Sequence, residues 1–190
     1  MAIFRWIILA AWLVFVVYWA IAAGSAKRNA AVQSWWRQML LRLAVVALVV
    51  IALRVPLVRQ ELRMAQAWQD GSVAMGAIGA ALTVLGVGLA VLARTYLGAN
   101  WGMPMSRKED PELVTRGPYA LVRHPIYTGM MITMLGSAIG FSIKWVLPLV
   151  VGGAYFVYSA RREEELMRAQ FPQAYPPYMR STWMLVPFVL

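Results

Sequence analysis

The 190-residue sequence contains no cysteine, one histidine and only 8 Asp plus Glu, against 18 Lys plus Arg. Without cysteine there is no disulfide scaffold, no thiolate-ligated zinc, no iron–sulfur cluster and no thiol nucleophile. A single histidine excludes a multi-histidine metal site, so no metal is expected. Charge is scarce as well. Charged residues make up 14% of the chain, where a soluble domain carries roughly 25%. Hydrophobic residues make up 61%, too many for a short soluble chain with a large surface to cover in polar groups. The sequence therefore reads as an integral membrane protein. A net charge of +10 could suggest nucleic acid, but that needs a basic face clustered on a soluble module. Here the cations fall between hydrophobic runs, so membrane lipids are the expected surroundings and no nucleic-acid partner is expected.

A membrane-spanning helix needs about 20 mostly apolar residues. Residues 3–23, 39–58 and 73–97 qualify, and 126–143 and 145–160 form a shorter pair joined almost directly at Lys144. The expected fold is all-α with five transmembrane helices, the last two as a tight hairpin, and a cofactor pocket at the cytoplasmic face. Residues 1–72 read as an N-terminal two-helix hairpin and 73–190 as a core of three spans with a C-terminal cytoplasmic segment. The first span reads as retained, because its stronger positive flank (Lys27, Arg28, Arg37) follows the apolar run instead of preceding it.

Only Arg5, Arg54, Arg59, Arg63 and Lys144 fall on one side of this arrangement, leaving 13 of the 18 cations on the other. The cation-rich side is cytoplasmic by the positive-inside bias. The N-terminus is then outside an inner or plasma membrane, and the C-terminus is in the cytoplasm. Trp101, Trp145 and Trp183 fall near expected interfaces and read as anchors, as do Trp35, Trp36 and Trp68. Gly76, Gly79, Ala80, Gly86, Gly88 and Ala90 in the third span, with Gly136 and Gly140 in the fourth, read as surfaces for close helix approach.

Polar residues concentrate between Asn100 and Tyr127 and again after Arg161. Gly117-Pro118 marks a turn. Pro125 suits the first position of a helix and His124 its cap, so the fourth helix would aim free backbone N–H groups at a loop and favour an anionic ligand group. The plainer reading is a capped helix with Arg123 facing lipid phosphate. Glu164 and Arg168 are spaced for a helix salt bridge, and a functional role for this stretch needs a carboxylate to fold back towards His124. Tyr175, Tyr178 and Pro187 suit an aromatic tail at the interface.

These residues resemble the isoprenylcysteine carboxyl methyltransferase family of integral membrane enzymes and its bacterial relatives. The likeness covers roughly residues 94–187. It rests on Leu97-Gly98 with Asn100-Trp101, on Leu113-Val114-Thr115 before Gly117-Pro118-Tyr119, and on Arg123-His124-Pro125-Ile126-Tyr127-Thr128-Gly129. Glu163-Glu164, Phe171, Tyr175 and Tyr178 complete it. The resemblance implies S-adenosylmethionine as cofactor, bound under the C-terminal segment by Glu112, Leu113, Val114, Tyr119, His124, Pro125, Ile126, Tyr127 and Glu163. It also implies methyl transfer to a lipophilic small-molecule acceptor, with an isoprenylcysteine-like carboxylate first. Related membrane enzymes that methylate phospholipid amines or small thiols look similar over part of the region. Ser159 stands where the family places an arginine that orients the acceptor, so Arg161 or Arg162 would take that part, with Glu164 as the third catalytic candidate. Competing readings are a non-enzymatic membrane protein or transporter subunit, and a membrane reductase using a nicotinamide cofactor.

Overall fold

The structure, a computed structural model, describes residues 2–23, 72–101 and 112–188, with residues 51, 54, 56, 60 and 66 between them. Its α-helices are α1 (Ala2–Ala23), α2 (Val73–Leu97), α3 (Pro125–Gly140), α4 (Val146–Gln170) and α5 (Tyr175–Ser181). Short 3-10 turns occupy Gly98–Asn100, Gly117–Ala120 and Ile143–Trp145. Among the described residues there is no sheet, only one parallel bridge between Val122 and Trp183.

Three of these helical segments, Ala2–Ala22, Val73–Leu97 and Ile143–Gln170, are long and apolar enough to cross a membrane. The span expected at 39–58 lies outside the described residues. The span expected at 126–143 is corrected: α3 ends at Gly140, where Ser137 O accepts from the N–H groups of both Phe141 and Ser142 at 3.0 Å and closes the helix. Its 16 residues reach about 24 Å at 1.5 Å per residue, short of the ~30 Å hydrocarbon layer. The last span is also longer than the expected 145–160. Between Ala160 and Pro172 there is no helix breaker, so α4 carries its apolar half straight into a charged half and stops where Phe171 N donates to Met167 O.

α1 and α2 run parallel. Arg94, near the end of α2, donates through Nη1 to Gly98 O (2.6 Å) and through Nη2 to Ala22 O (2.7 Å) at the end of α1. Its guanidinium also lies 4.7 Å from the centroid of the Trp101 ring. A buried arginine thus gives the two helix ends the donors that their last carbonyls lack. Nearer the opposite end, Trp12 donates from Nε1 to Ser137 Oγ (3.0 Å) and stacks on Trp145 at 4.9 Å. Trp145, expected as an interface anchor, is packed against another ring.

α2 and α3 are antiparallel and meet along a seam of small residues. The seam runs through Gly79, Thr83, Gly86 and Ala90 on α2 and Gly129, Thr133, Gly136 and Gly140 on α3. The spacing alternates four and three, which keeps one narrow stripe on one helix face. A Cβ on Gly79 would lie 2.3 Å from the backbone N of Gly140, and one on Gly86 would lie 2.6 Å from Gly129 O. Main chain therefore touches main chain. Thr83, Thr133 and Ser137 keep the seam free of unpaired hydroxyls by donating to the carbonyls of Gly79, Gly129 and Thr133, each at 2.8 Å. Gly88 stands off the seam, with open space where its Cβ would be. The α3–α4 contact is built differently: Cβ atoms on Gly152 and Gly153 would meet only the thioether ends of Met134 (3.3 Å) and Met131 (3.9 Å).

The seam yields a paired prediction. Gly79→Ala should lower the thermal unfolding midpoint in detergent, because overpacking of this kind costs about 1–3 kcal/mol. Gly88→Ala should leave it unchanged or raise it, by up to ~1 kcal/mol of helix propensity. Equal loss in both variants would contradict backbone contact at Gly79.

Candidate active site

The site forms where α3 begins. Gly117, with φ +62 and Tyr96 ring carbons 2.5 to 2.7 Å from where its Cβ would sit, turns the chain beneath the end of α2. Pro118 O then accepts from Leu121 N and Val122 N at 3.2 Å each, which closes the 3-10 turn. The next residues pair with the chain's C-terminal return. Trp183 N donates to Leu121 O (3.2 Å), Arg123 N to Trp183 O (2.8 Å) and His124 N to Met184 O (3.1 Å). Thr128 Oγ1 donates to Leu185 O at 2.6 Å, and the Leu185 side chain is fully buried. Pro125 occupies the first helical position and Thr128 N closes the first turn onto His124 O. The His124 side chain makes no capping bond and is left to interact with α4.

On α4, successive glutamates face this helix start in different ways. Glu164 is buried and accepts from Arg123 Nε at 2.6 Å. Arg123 Nη1 also donates to Met179 O at 3.1 Å and to Thr182 O, so one guanidinium ties α3, α4 and α5 together. Glu163 is half-buried and accepts from Tyr127 Oη at 2.5 Å. His124 lies between the two carboxylates, with Nδ1 3.5 Å from Glu163 Oε2 and Nε2 3.6 Å from Glu164 Oε1. These are ion-pair distances, and His124 Nε2 is buried with no hydrogen bond. The Tyr127 ring stacks between His124 (5.7 Å) and Phe156 (4.9 Å). Removing one partner of a buried ion pair costs about 3–5 kcal/mol, so Arg123 and Glu164 hold this end of the bundle together.

Burial alone would pull the His124 pKa down; the polar contacts and negative charge of Glu163 and Glu164 outweigh it, and the net shift is upward. Tyr178 is pushed up to about 12, first by burial and then by the charge of Glu164, against the opposing pull of Arg123. Tyr119 and Tyr175 are raised too, both chiefly by burial. All three phenols therefore stay protonated. Tyr178 Oη donates to Tyr119 O at 2.6 Å.

Of the residues expected at a cofactor site, the structure brings His124, Tyr127 and Glu163 into direct contact, with Pro125 buried beneath them and Ile126 beside it. Tyr119 is buried under Tyr178. Leu113 and Val114 are half-buried, and Glu112 is exposed with Asn100, whose side chain bonds its carboxylate and its N–H at 3.4 Å. Of the catalytic candidates, Glu164 joins the cluster and the two arginines do not. Arg161 and Arg162 are exposed, and Arg162 pairs with Glu165 at 2.6 Å. Two expectations are corrected. Tyr175 and Tyr178 are not an interface tail, because Tyr175 is buried in α5 and Tyr178 bonds the site's own backbone. Arg123 does not face lipid phosphate, because Glu164 and the C-terminal carbonyls take its donors. Glu164 to Arg168 is a contact of only 4.0 Å. Sequence reasoning named Arg123 but missed its partners, which lie 41 to 59 residues away, and passed over Thr182.

The profile of the family described as "Phospholipid methyltransferase" matches residues 74–174, from α2 to the start of α5. The chain is 32% identical over 103 residues to the nickel-cobalt-cadmium resistance protein NccN of Alcaligenes xylosoxydans xylosoxydans, covering 52% of this chain and 47% of that protein. It is 33% identical over 104 residues to the cobalt-zinc-cadmium resistance protein CzcN of Cupriavidus metallidurans, covering 53% and 45%. It is 28% identical over 116 residues to the protein-S-isoprenylcysteine O-methyltransferase of Tribolium castaneum, covering 59% and 41%. The chain thus spans less than half the length of these relatives.

The histidine is alone in the chain, so its titration can be followed without assignment. Imidazole NMR in detergent should give a midpoint above the ordinary ~6.5. The folded state then holds the proton more tightly than the unfolded state. The stability this contributes is complete below ~6.5 and is lost as pH rises through the folded midpoint. His124→Gln should remove that slope from the pH dependence of unfolding; a midpoint at or below 6.5 in the wild type would contradict the geometry.

Proposed function

Because the chain belongs to the phospholipid methyltransferase family, we propose that it transfers a methyl group from S-adenosylmethionine to a lipophilic acceptor at a membrane face. The observation that carries this reading is the cluster at the start of α3, where His124, Tyr127 and Glu163 meet inside the segment that the family profile matches. The donor set suits the cofactor. Glu163 keeps part of its carboxylate in reach of solvent and can accept from an ammonium or a ribose diol. The first turn of α3 begins with proline, and its next N–H groups lack helical partners, which suits a carboxylate.

When bound, S-adenosylmethionine supplies a methyl group already activated on a sulfonium. The work left to the protein is alignment and exclusion of water, worth roughly 7–11 kcal/mol when the geometry is right. Tyr127 and His124 hold Glu163 in place, and by the family resemblance Tyr119, Leu113 and Val114 would line the cofactor. A site at the end of a bundle lets a polar cofactor arrive from water and a lipid acceptor from between helices. The parallel run of α1 and α2 supports one further crossing between them, because the chain leaves α1 at one end of the bundle and re-enters at the other. With the cation bias, this supports an outside N-terminus and a cytoplasmic site.

An isoprenylcysteine-like carboxylate is the first acceptor class, supported by the likeness to the Tribolium enzyme. A phospholipid amine, or less directly a small thiol, is the second, and one observation favours it. Ser159 is fully buried with no partner for its hydroxyl, Arg161 and Arg162 are exposed, and Arg123 is bound to Glu164. Among these, an acceptor carboxylate would find no cation that is both buried at the site and unengaged. An amine or thiol would need to lose a proton, with His124, Tyr127 or a glutamate as acceptor.

Calorimetry with S-adenosylhomocysteine in detergent tests the reading. Saturable binding is expected, weakened about tenfold or more in Glu163→Gln and His124→Ala, since a hydrogen bond to a charged group is worth roughly 1.5–3 kcal/mol. Arg180→Ala, on the exposed side of α5, should bind as the wild type does. Folded protein without binding would overturn the proposal. Methyl-labelled cofactor offered with prenylated cysteine or with phosphatidylethanolamine vesicles should label one of the two, and that outcome names the acceptor class.

A further inference from the structure

Adjacent glutamates on one helix commonly share a task, and the sequence alone sets Glu163 and Glu164 side by side. Their surroundings differ. Glu163 retains solvent contact, and its partners are a phenol and an imidazole, both at the start of α3. Glu164 is almost completely enclosed, and one oxygen, Oε1, takes Arg123 Nε at 2.6 Å and faces His124 Nε2 at 3.6 Å. Its other oxygen lies 4.0 Å from Arg168. Arg123 in turn reaches two carbonyls of the C-terminal return, Met179 O and Thr182 O. The backbone of Arg123 and His124 is itself bonded to that return through Trp183 O and Met184 O.

We propose that Arg123 and Glu164 form a positioning pair that fixes the orientation of the His124 ring, while Glu163 alone of the two glutamates is presented to the cofactor. The geometry gives the reason. An imidazole can be turned over about its bond to Cβ, which puts the carbons Cδ2 and Cε1 where Nδ1 and Nε2 stood and takes both nitrogens away from their carboxylates. Glu164, clamped by a guanidinium that α5 and the C-terminal return also hold, gives Nε2 a fixed negative partner. Nδ1 is then directed to Glu163, and the Glu163 carboxylate is held between His124 and Tyr127 instead of turning outward. The inference rests on the reading that Glu163 and His124 bind the cofactor, but it can be tested without any ligand.

The experiment uses the full chain in detergent, with 15N-labelled histidine and S-adenosylhomocysteine as probe, on wild type, Glu163→Gln, Glu164→Gln, Glu164→Asp and Arg123→Lys. Without ligand, Glu164→Gln and Arg123→Lys should both change the ring nitrogen shifts and lower the imidazole midpoint, and Glu164→Asp should restore part of the wild-type signature. With ligand, Glu163→Gln should lose about tenfold or more in affinity. Glu164→Gln should lose less, and combining it with Arg123→Lys should add little further loss, because the two act as a unit. If Glu164→Gln costs as much affinity as Glu163→Gln while the ring signature stays wild-type, Glu164 touches the cofactor and the proposal is overturned. It is overturned equally if Arg123→Lys leaves the ring signature unchanged. If Glu164→Gln fails to fold, the aspartate and Arg123→Lys variants read the same ring. Wild-type protein that binds no S-adenosylhomocysteine but shows the expected ring changes would sink the proposed function and leave the positioning pair standing.

Discussion

Two helix backbones come into contact only where their side chains all but vanish, and α2 and α3 meet that condition for about three turns. Lipid tails offer no hydrophobic reward for joining two apolar helices, so packing and local hydrogen bonds have to do it. The glycines at 79, 86, 129, 136 and 140 allow contact between main chains, and the threonines between them satisfy their own hydroxyls on the same helix. A seam this close has one register. A slip of one turn, about 5.4 Å, would take Thr133 off Gly86 and Thr83 off Gly136, the glycines each packs against. Gly129 is thereby fixed at the level of Ala90, and the first residues of α3 emerge beside the end of α2, where Arg94 gathers the end of α1.

Everything charged at the site follows from that placement. At the edge of an apolar bundle an unpaired ion is costly, and a paired one is tolerated only if its remaining donors are met. Arg123 meets the condition with groups that the rest of the chain must bring to it: a glutamate from α4 and carbonyls from beyond α5. The C-terminal return is therefore structural as well as a cover. It completes the hydrogen bonding of the two residues that precede α3, and its Leu185 fills the space beneath them. A family that acts on lipophilic molecules needs such an arrangement, in which a polar site is assembled at the boundary without opening the apolar interior.

Much of this was legible in the sequence, wherever the signal was local. The apolar lengths of α1 and α2, the small-residue stripes, and the His124-Pro125 helix start each lie within one stretch of chain and obey short-range rules. The Lys144 junction brought the α3 and α4 ends together, because an antiparallel hairpin leaves no other choice. What failed was long-range or a matter of degree. Arg123 looked like one more interfacial cation because its partners stand 41 and more residues away. Tyr175 and Tyr178 have the composition of a membrane-interface tail, and only the folded return shows Tyr175 buried and Tyr178 bonded to Tyr119 O. The end of α3 was misread because Ser137 O captures two successive N–H groups, which no hydropathy run reveals. Arg161 and Arg162 attracted attention by closeness in sequence to Ser159, but a helix turns about 100° per residue, and one or two steps past the buried Ala160 face outward.

The glycines of α4 bear on how the bundle can deform. Gly152 and Gly153 are met by the thioethers of Met134 and Met131 and by no main-chain atoms. Methionine has three rotatable bonds and a soft, adaptable end, so that contact can be remade at small cost, whereas the α2–α3 seam cannot shift without collision. The molecule therefore has one stiff flank and one yielding flank. Adjustment between helices is cheapest along the apolar half of α4, whereas its charged half is held to the start of α3 through Tyr127–Glu163 and Arg123–Glu164.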